Sequence, residues 1–247
     1  MLDARWQTLA ALALLGPALW LLQGCVPDAA PASAAIESLG LRAQQTAAPE
    51  ALARLSHWAE QGSAVAQREL ALALLQRPGR EAEGLAALQA AGRGGDAQAA
   101  WRYGEAQRLG QHGLRPDAAA ARPWLARAAE LHHAEAALAL ARMARNGDAG
   151  PQDLSLALHW LQEASAAGSA PAMFLLANAY AQGEGTPVDP TAARLWLERA
   201  ADHHYPPALQ GLALALENGE LGLARDPQQA RELLKEASEE RRNRWQM

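Results

Sequence analysis

Among 247 residues there is one cysteine, one phenylalanine and three tyrosines. With Cys25 as the single thiol, no intramolecular disulfide can form. Basic charge is in short supply too: 22 Lys and Arg stand against 27 Asp and Glu, for a net charge of -5. No extended basic run breaks that balance, which leaves little electrostatic basis for binding nucleic acid or anionic lipid. Reaction motifs are missing as well. There is no glycine-rich phosphate loop, no nucleophile elbow and no zinc-type H-E-x-x-H, so neither an enzyme nor a cofactor is expected. Long apolar runs are also lacking. The stretch from Leu9 to Leu22 covers 14 residues and holds Gly16 and Pro17, whereas a membrane span needs about 18 or more. Its length fits the apolar core of a signal peptide better than an anchor.

That run closes on Leu22-Gln23-Gly24-Cys25. These residues resemble the bacterial lipobox: an aliphatic residue at minus three, a small one at minus one, then the cysteine. Gln23 is polar for its slot, and Asp3 offsets Arg5 in the n-region. The resemblance implies that residues 1–24 are removed and that Cys25 carries lipid, palmitate included, as the new N-terminus. Val26 in place of aspartate after the cysteine implies the periplasmic face of the outer membrane, with an inner-membrane lipoprotein or a soluble periplasmic form as alternatives. Residues 25–47, rich in Ala, Pro and Ser, then read as the lipidated cysteine and a flexible tether. Fully extended, the tether would reach roughly 70 Å. A short helix around Ile36 to Gln44 is compatible with this stretch, but no local signal fixes it.

Abundant instead are alanine and a fixed period. Trp124, Trp160 and Trp196 recur in steps of 36 residues, a spacing that marks stacked repeats. The clearest unit runs from Ala172 to Ala208 and holds Leu176, Ala177, Tyr180, Gly183, Gly185, Asp189, Ala193, Trp196, Ala200 and Ala201. Units beginning at Ala99, Ala136 and Ala208 repeat these residue types in order, and a divergent first unit spans Ala66 to Gly94. Pro49 to Gln61 reads as the second helix of an incomplete leading unit. Within the second helix, Ala193, Trp196, Leu197, Ala200 and Ala201 form one apolar stripe. Its alanines let helices approach, and tryptophan is expected to fill the wedge between them. Asp117, Asp153, Asp189 and Asp226 read as N-caps, with Pro190 and Pro227 at the first helical position. Gly62, Gly95 and Gly168 read as left-handed C-cap residues.

These marks resemble the Sel-one-like repeat (SLR), a relative of the tetratricopeptide repeat, over roughly Leu52 to Glu240. The resemblance implies an all-α, right-handed α/α solenoid of about five helix-turn-helix repeats. Residues 48–240 are then the repeat domain and 241–247 a C-terminal tail that caps the last unit. Departures from the family pattern include Thr186 in the turn, Ala141, Ala177 and Ala213 for glycine, and Leu233 for the last tryptophan.

Two histidine pairs, His132-His133 and His203-His204, could hold a metal. In register, however, His132 and His204 fall where Gly168 stands, and the pairs are two repeats apart, too far for one ion. No metal site is expected. Two residues after the leading alanines lie Arg68, Trp101, Leu138, Phe174 and Gln210, with Arg102, Arg142 and Asn178 on or beside the same helices. Two readings of these residues stand. Trp101, Leu138 and Phe174 form an apolar groove on the concave face that takes a partner peptide, or they pack between adjacent repeats. The functional expectation is a non-catalytic protein-binding scaffold or adaptor of the cell envelope, in exopolysaccharide export, pilus or secretion machinery. A peptidoglycan- or carbohydrate-binding module is the alternative, and a hydrolase a third class.

Overall fold

The computed structural model describes residues 31–46 and 48–244, and the signal-peptide and Cys25 readings lie outside those residues. Among the described residues there are twelve helices and no strand. Two leading helices, α1 (Ser33–Gln45) and α2 (Pro49–Glu60), precede five helical hairpins. The hairpins are α3 (Ala64–Leu75) with α4 (Glu81–Arg93), α5 (Ala97–Leu109) with α6 (Ala118–Glu130), and α7 (Ala134–Asn146) with α8 (Leu154–Ala166). They continue with α9 (Ala170–Gln182) paired to α10 (Pro190–Asp202), and α11 (Pro206–Asn218) paired to α12 (Pro227–Arg244). Each second helix packs against the first helix of the next hairpin, and that stacking makes the solenoid.

Local chemistry explains where these helices start and stop. Asp117, Asp153, Asp189 and Asp226 each accept backbone N–H bonds from the first turn of their helix, at 2.9 to 3.0 Å. An N-cap satisfies donors that no helical carbonyl can reach. Each of these aspartates also donates its own backbone N–H to a carbonyl near the end of the preceding helix: Gln107, Ala144, Tyr180 and Leu216, at 2.8 to 2.9 Å. These four residues therefore occupy one position of the repeat. Second helices end at a left-handed residue, which is Gly62, Gly95 or Gly168 in three places and His132 (φ 61) or His204 (φ 51) in two others. Both histidines thus take the left-handed position just past the C-cap that Gly168 holds in the repeat between them.

The core differs from expectation at the tryptophans. Trp124, Trp160 and Trp196 are only half-buried, while Leu125, Leu161 and Leu197 beside them are buried. Leucine fills the wedge between helices. A tryptophan there would overfill a space that alanines have narrowed. The rings lie at its edge instead: Trp124 meets Tyr103 edge-on at 4.8 Å, and the guanidinium of Arg199 sits 4.6 Å from the centre of Trp196.

The second departure lies at the N-terminal end. Residues expected to form a flexible tether are helical from Ser33 to Gln45 and pack on α2 and α3. Ile36, Leu39, Gly40 and Ala43 fall at i, i+3, i+4 and i+7, and all four are buried. Gly40 is where α1 and α3 come closest: a Cβ there would lie 2.1 Å from Oε2 of Glu69. Arg77 adds a tie by donating from Nη2 to the Ala43 carbonyl at 3.0 Å. The α1–α2 pair covers the first hairpin and closes that end of the stack.

Candidate interaction surface

The residues two places after the leading alanines serve mainly as links between repeats. Arg68 on α3 reaches Asp96, the N-cap of α5, at 2.7 Å, and also pairs with Glu37 of α1 and with Glu69. Trp101 on α5 stacks on His133, the N-cap of α7, with ring centres 4.9 Å apart. Phe174 on α9 meets Tyr205, the N-cap of α11, edge-on at 5.8 Å. One position of the first helix therefore touches the start of the next first helix in three units, through three different chemistries. Leu138, in the same register on α7, is buried.

Burial sets the electrostatics of these links. Burial works against the Arg68 charge, but Asp96, Glu37 and Glu69 outweigh it and hold the guanidinium above its ordinary range. Glu69, buried among them, has its carboxyl pushed up by desolvation despite Arg68. Burial pulls His133 below the usual imidazole range, against the opposing pull of Glu135 and Asp96. His133 Nδ1 accepts from the Ala136 N–H at 3.4 Å while Nε2 lies 3.0 Å from Gln98 Oε1. A neutral ring with its proton on Nε2 satisfies both contacts.

On the first-helix side, Trp101, Leu138 and Arg142 come together in a cleft of about 290 Å³ shared with Glu105, Arg108 and Glu135. Arg102 lies over Trp101 at 5.6 Å and lines the neighbouring cleft, about 420 Å³, with Glu37, Arg68 and Glu69. Phe174, Asn178 and Gln210 are half-buried and line neither cleft. The candidate residues therefore divide between two mixed-charge clefts and inter-repeat contacts rather than forming one apolar groove.

A larger cleft lies elsewhere, between α6, α7 and α8. It measures about 660 Å³, and its walls include Pro123, Ala126, Leu140, Met143, Ala144 and Trp160. It exists because two small residues meet there. One repeat later, Tyr180 and Gln162 occupy the positions of Ala144 and Ala126, with Gln162 Nε2 donating to the tyrosine hydroxyl at 3.2 Å. One repeat earlier, Gln89 and Gln107 hold these two positions, and Gln89 donates instead to the Tyr103 hydroxyl, one turn before Gln107, at 3.3 Å. The middle interface has alanine at both positions, where its neighbours carry larger side chains. Sequence reasoning missed this site, although alanine in the column that holds Tyr180 was its visible signal.

A capped stack of paired helices with open inter-repeat clefts defines an α/α repeat protein of the binding-surface type. The chain belongs to the Sel1 repeat family, whose model matches residues 49–77, 97–133, 134–169, 170–205 and 206–240. The first matched segment spans α2 and α3, whereas in the structure α3 pairs with α4, which falls between the first two segments. No match is found among curated proteins. Two of the solved structures that resemble the fold show the likeness. One is c5321, described as a protective antigen present in uropathogenic Escherichia coli strains displaying an SLR fold, at TM-score 0.73 and 23% identity. The match covers 84% of this chain and 46% of that one, so the present chain spans less than half of that protein. The other is a Sel1 repeat protein from Oxalobacter formigenes, at TM-score 0.73 and 24% identity, covering 89% of this chain and 92% of that one. Sel1 repeat proteins are generally protein-interaction scaffolds, and the fold is typically non-catalytic.

Proposed function

We propose that this protein is a non-catalytic scaffold or adaptor, held by a lipid on Cys25 at the periplasmic face of the outer membrane, that helps assemble an envelope complex. Exopolysaccharide export, pilus and secretion machineries are the candidate assemblies. The observation that carries the scaffold reading is a division of labour among the residues. Recurring side chains such as Asp189, Gly183 and Leu197 serve caps, turns and core, while residues that differ between units, such as Arg142, Ala126 and Ala144, line open clefts. Repeat proteins bind partners through such variable surfaces.

The anchor reading rests on the Leu22–Cys25 motif. With α1 folded onto the stack, only residues 26–32 remain to separate Cys25 from the first helix. Their extended reach is roughly 23 Å, so the domain would stand close to the membrane. Cys25→Ser should leave the protein in the soluble periplasmic fraction, and unchanged membrane attachment would overturn the anchor. Crosslinking in the native host, read by mass spectrometry, tests the scaffold itself. Adducts to one envelope protein from residues such as Arg142 support it, whereas adducts to glycan alone would favour a carbohydrate-binding role.

A further inference from the structure

The α6–α7–α8 cleft has three features that together specify an occupant. Its floor is apolar, formed by Leu140, Met143 and Trp160. Pro123 lies inside α6 and has no N–H, so the Ala119 carbonyl four residues earlier loses its helical donor, and both residues line the cleft. Two charged side chains line the cleft: Asp153 is engaged as the N-cap of α8, accepting from the Leu156 N–H at 2.9 Å, whereas Arg122, on the α6 wall, is exposed and makes no ion pair with any described residue. An occupant that satisfies all three has an apolar side chain for the floor, an N–H for the carbonyl and a negative charge for Arg122. The volume, about 660 Å³, exceeds that of any single side chain and falls within the range of ligand pockets.

We propose that this cleft is a peptide-docking site that takes an extended segment of a partner protein bearing an aromatic or branched aliphatic residue next to an acidic one. Peptide is the occupant that supplies backbone N–H, apolar side chain and carboxylate within two or three residues, and a lone apolar molecule would leave Arg122 and the Ala119 carbonyl unmatched. The charge match gives specificity more than affinity, and the apolar floor supplies the burial. This inference rests on the scaffold reading and gives it a site.

The test uses fluorescence anisotropy with labelled hexapeptides that place phenylalanine, leucine or tryptophan beside aspartate. Matched sets carry lysine for aspartate or glycine for the apolar residue. The protein should bind the first set saturably and each matched set at least about tenfold more weakly, a difference of 1.4 kcal/mol. Ala126→Gln with Ala144→Tyr restores the pair found in the next repeat. That variant should melt at or above the wild-type temperature and lose the peptides. Arg122→Glu should reverse the preference between aspartate and lysine. The proposal is overturned if no peptide of the first set binds, if the filled variant binds them as the wild type does, or if Arg122→Glu leaves the preference unchanged. It is also overturned if sedimentation shows a dimer that only the filled variant lacks, which would assign the cleft to a second copy of the chain. Crosslinks to one envelope partner that persist in the filled variant would sink the cleft and leave the scaffold reading standing.

Discussion

Arg68 ties the N-terminal end together. It holds carboxylates from three places together: Glu37 on α1, its neighbour Glu69, and Asp96 at the start of α5. Removing it leaves Glu69 and Asp96, at 5% and 9% exposure, without their counter-charge. Arg68→Ala should cost roughly 3 kcal/mol in urea unfolding, near the low end for breaking a buried pair because Glu37 is half-exposed. An N-cap costs less to lose: Asp189→Ala should destabilise by about 1 kcal/mol in the same assay. His133 provides a pH test. Burial depresses its pKa in the folded protein below that of the unfolded chain. Its stabilising contribution is therefore fully present above the unfolded imidazole value, about 6.5, and is lost as pH falls through the folded one. The groups facing it are Glu135, Asp96, Gln98, Arg102 and Trp101. His133→Asn keeps a capping side chain without a titrating group. The stability difference between wild type and this variant should shift against the wild type as pH drops from about 7 to about 5, and a constant difference would refute the assignment.

Helix α1 is the element whose role changed most between sequence and structure. Its buried face is narrow, two large residues and two small ones, and its close approach to α3 depends on the absence of a side chain at Gly40. A side chain there meets Glu69 itself, not the flexible end of a surface residue. Gly40→Leu should therefore lift α1 and cost about 1–3 kcal/mol, as overpacking of a buried site does. Hydrogen exchange across residues 33–45 checks it, with protection in that segment falling most. Helix α6 makes the opposite case. Its interior Pro123 gives up a backbone bond at the wall of the α6–α7–α8 cleft, where a binding partner can make good the loss.

A solenoid has little to transmit a local defect over a long distance, because each hairpin touches only its neighbours. Gly40→Leu should accordingly raise exchange in α1 to α3 while α9 to α12 stay protected. Uniform loss of protection along the chain would show that the stack unfolds as one unit. Charge is spread along it in the same local way. The first-helix clefts mix both signs, with Glu105, Glu135 and Asp148 near Arg108 and Arg142. That face offers specific pairings instead of a field of one sign.

What the residues alone determined was the repeat itself, with its caps and turns. Each unit makes its own caps, turns and apolar stripe from neighbours in sequence, so Asp117, Asp153, Asp189 and Asp226, and even the left-handed histidines, could be assigned by register. Tertiary structure decided what depends on two units meeting. It placed Trp101 against His133 and Phe174 against Tyr205, moved the core from tryptophan to leucine, and docked α1 through Gly40. It also opened the cleft at Ala126 and Ala144. Either alanine alone looks like one of many in this chain, and only the packing of α6 on α7 and α8 makes their coincidence a cavity.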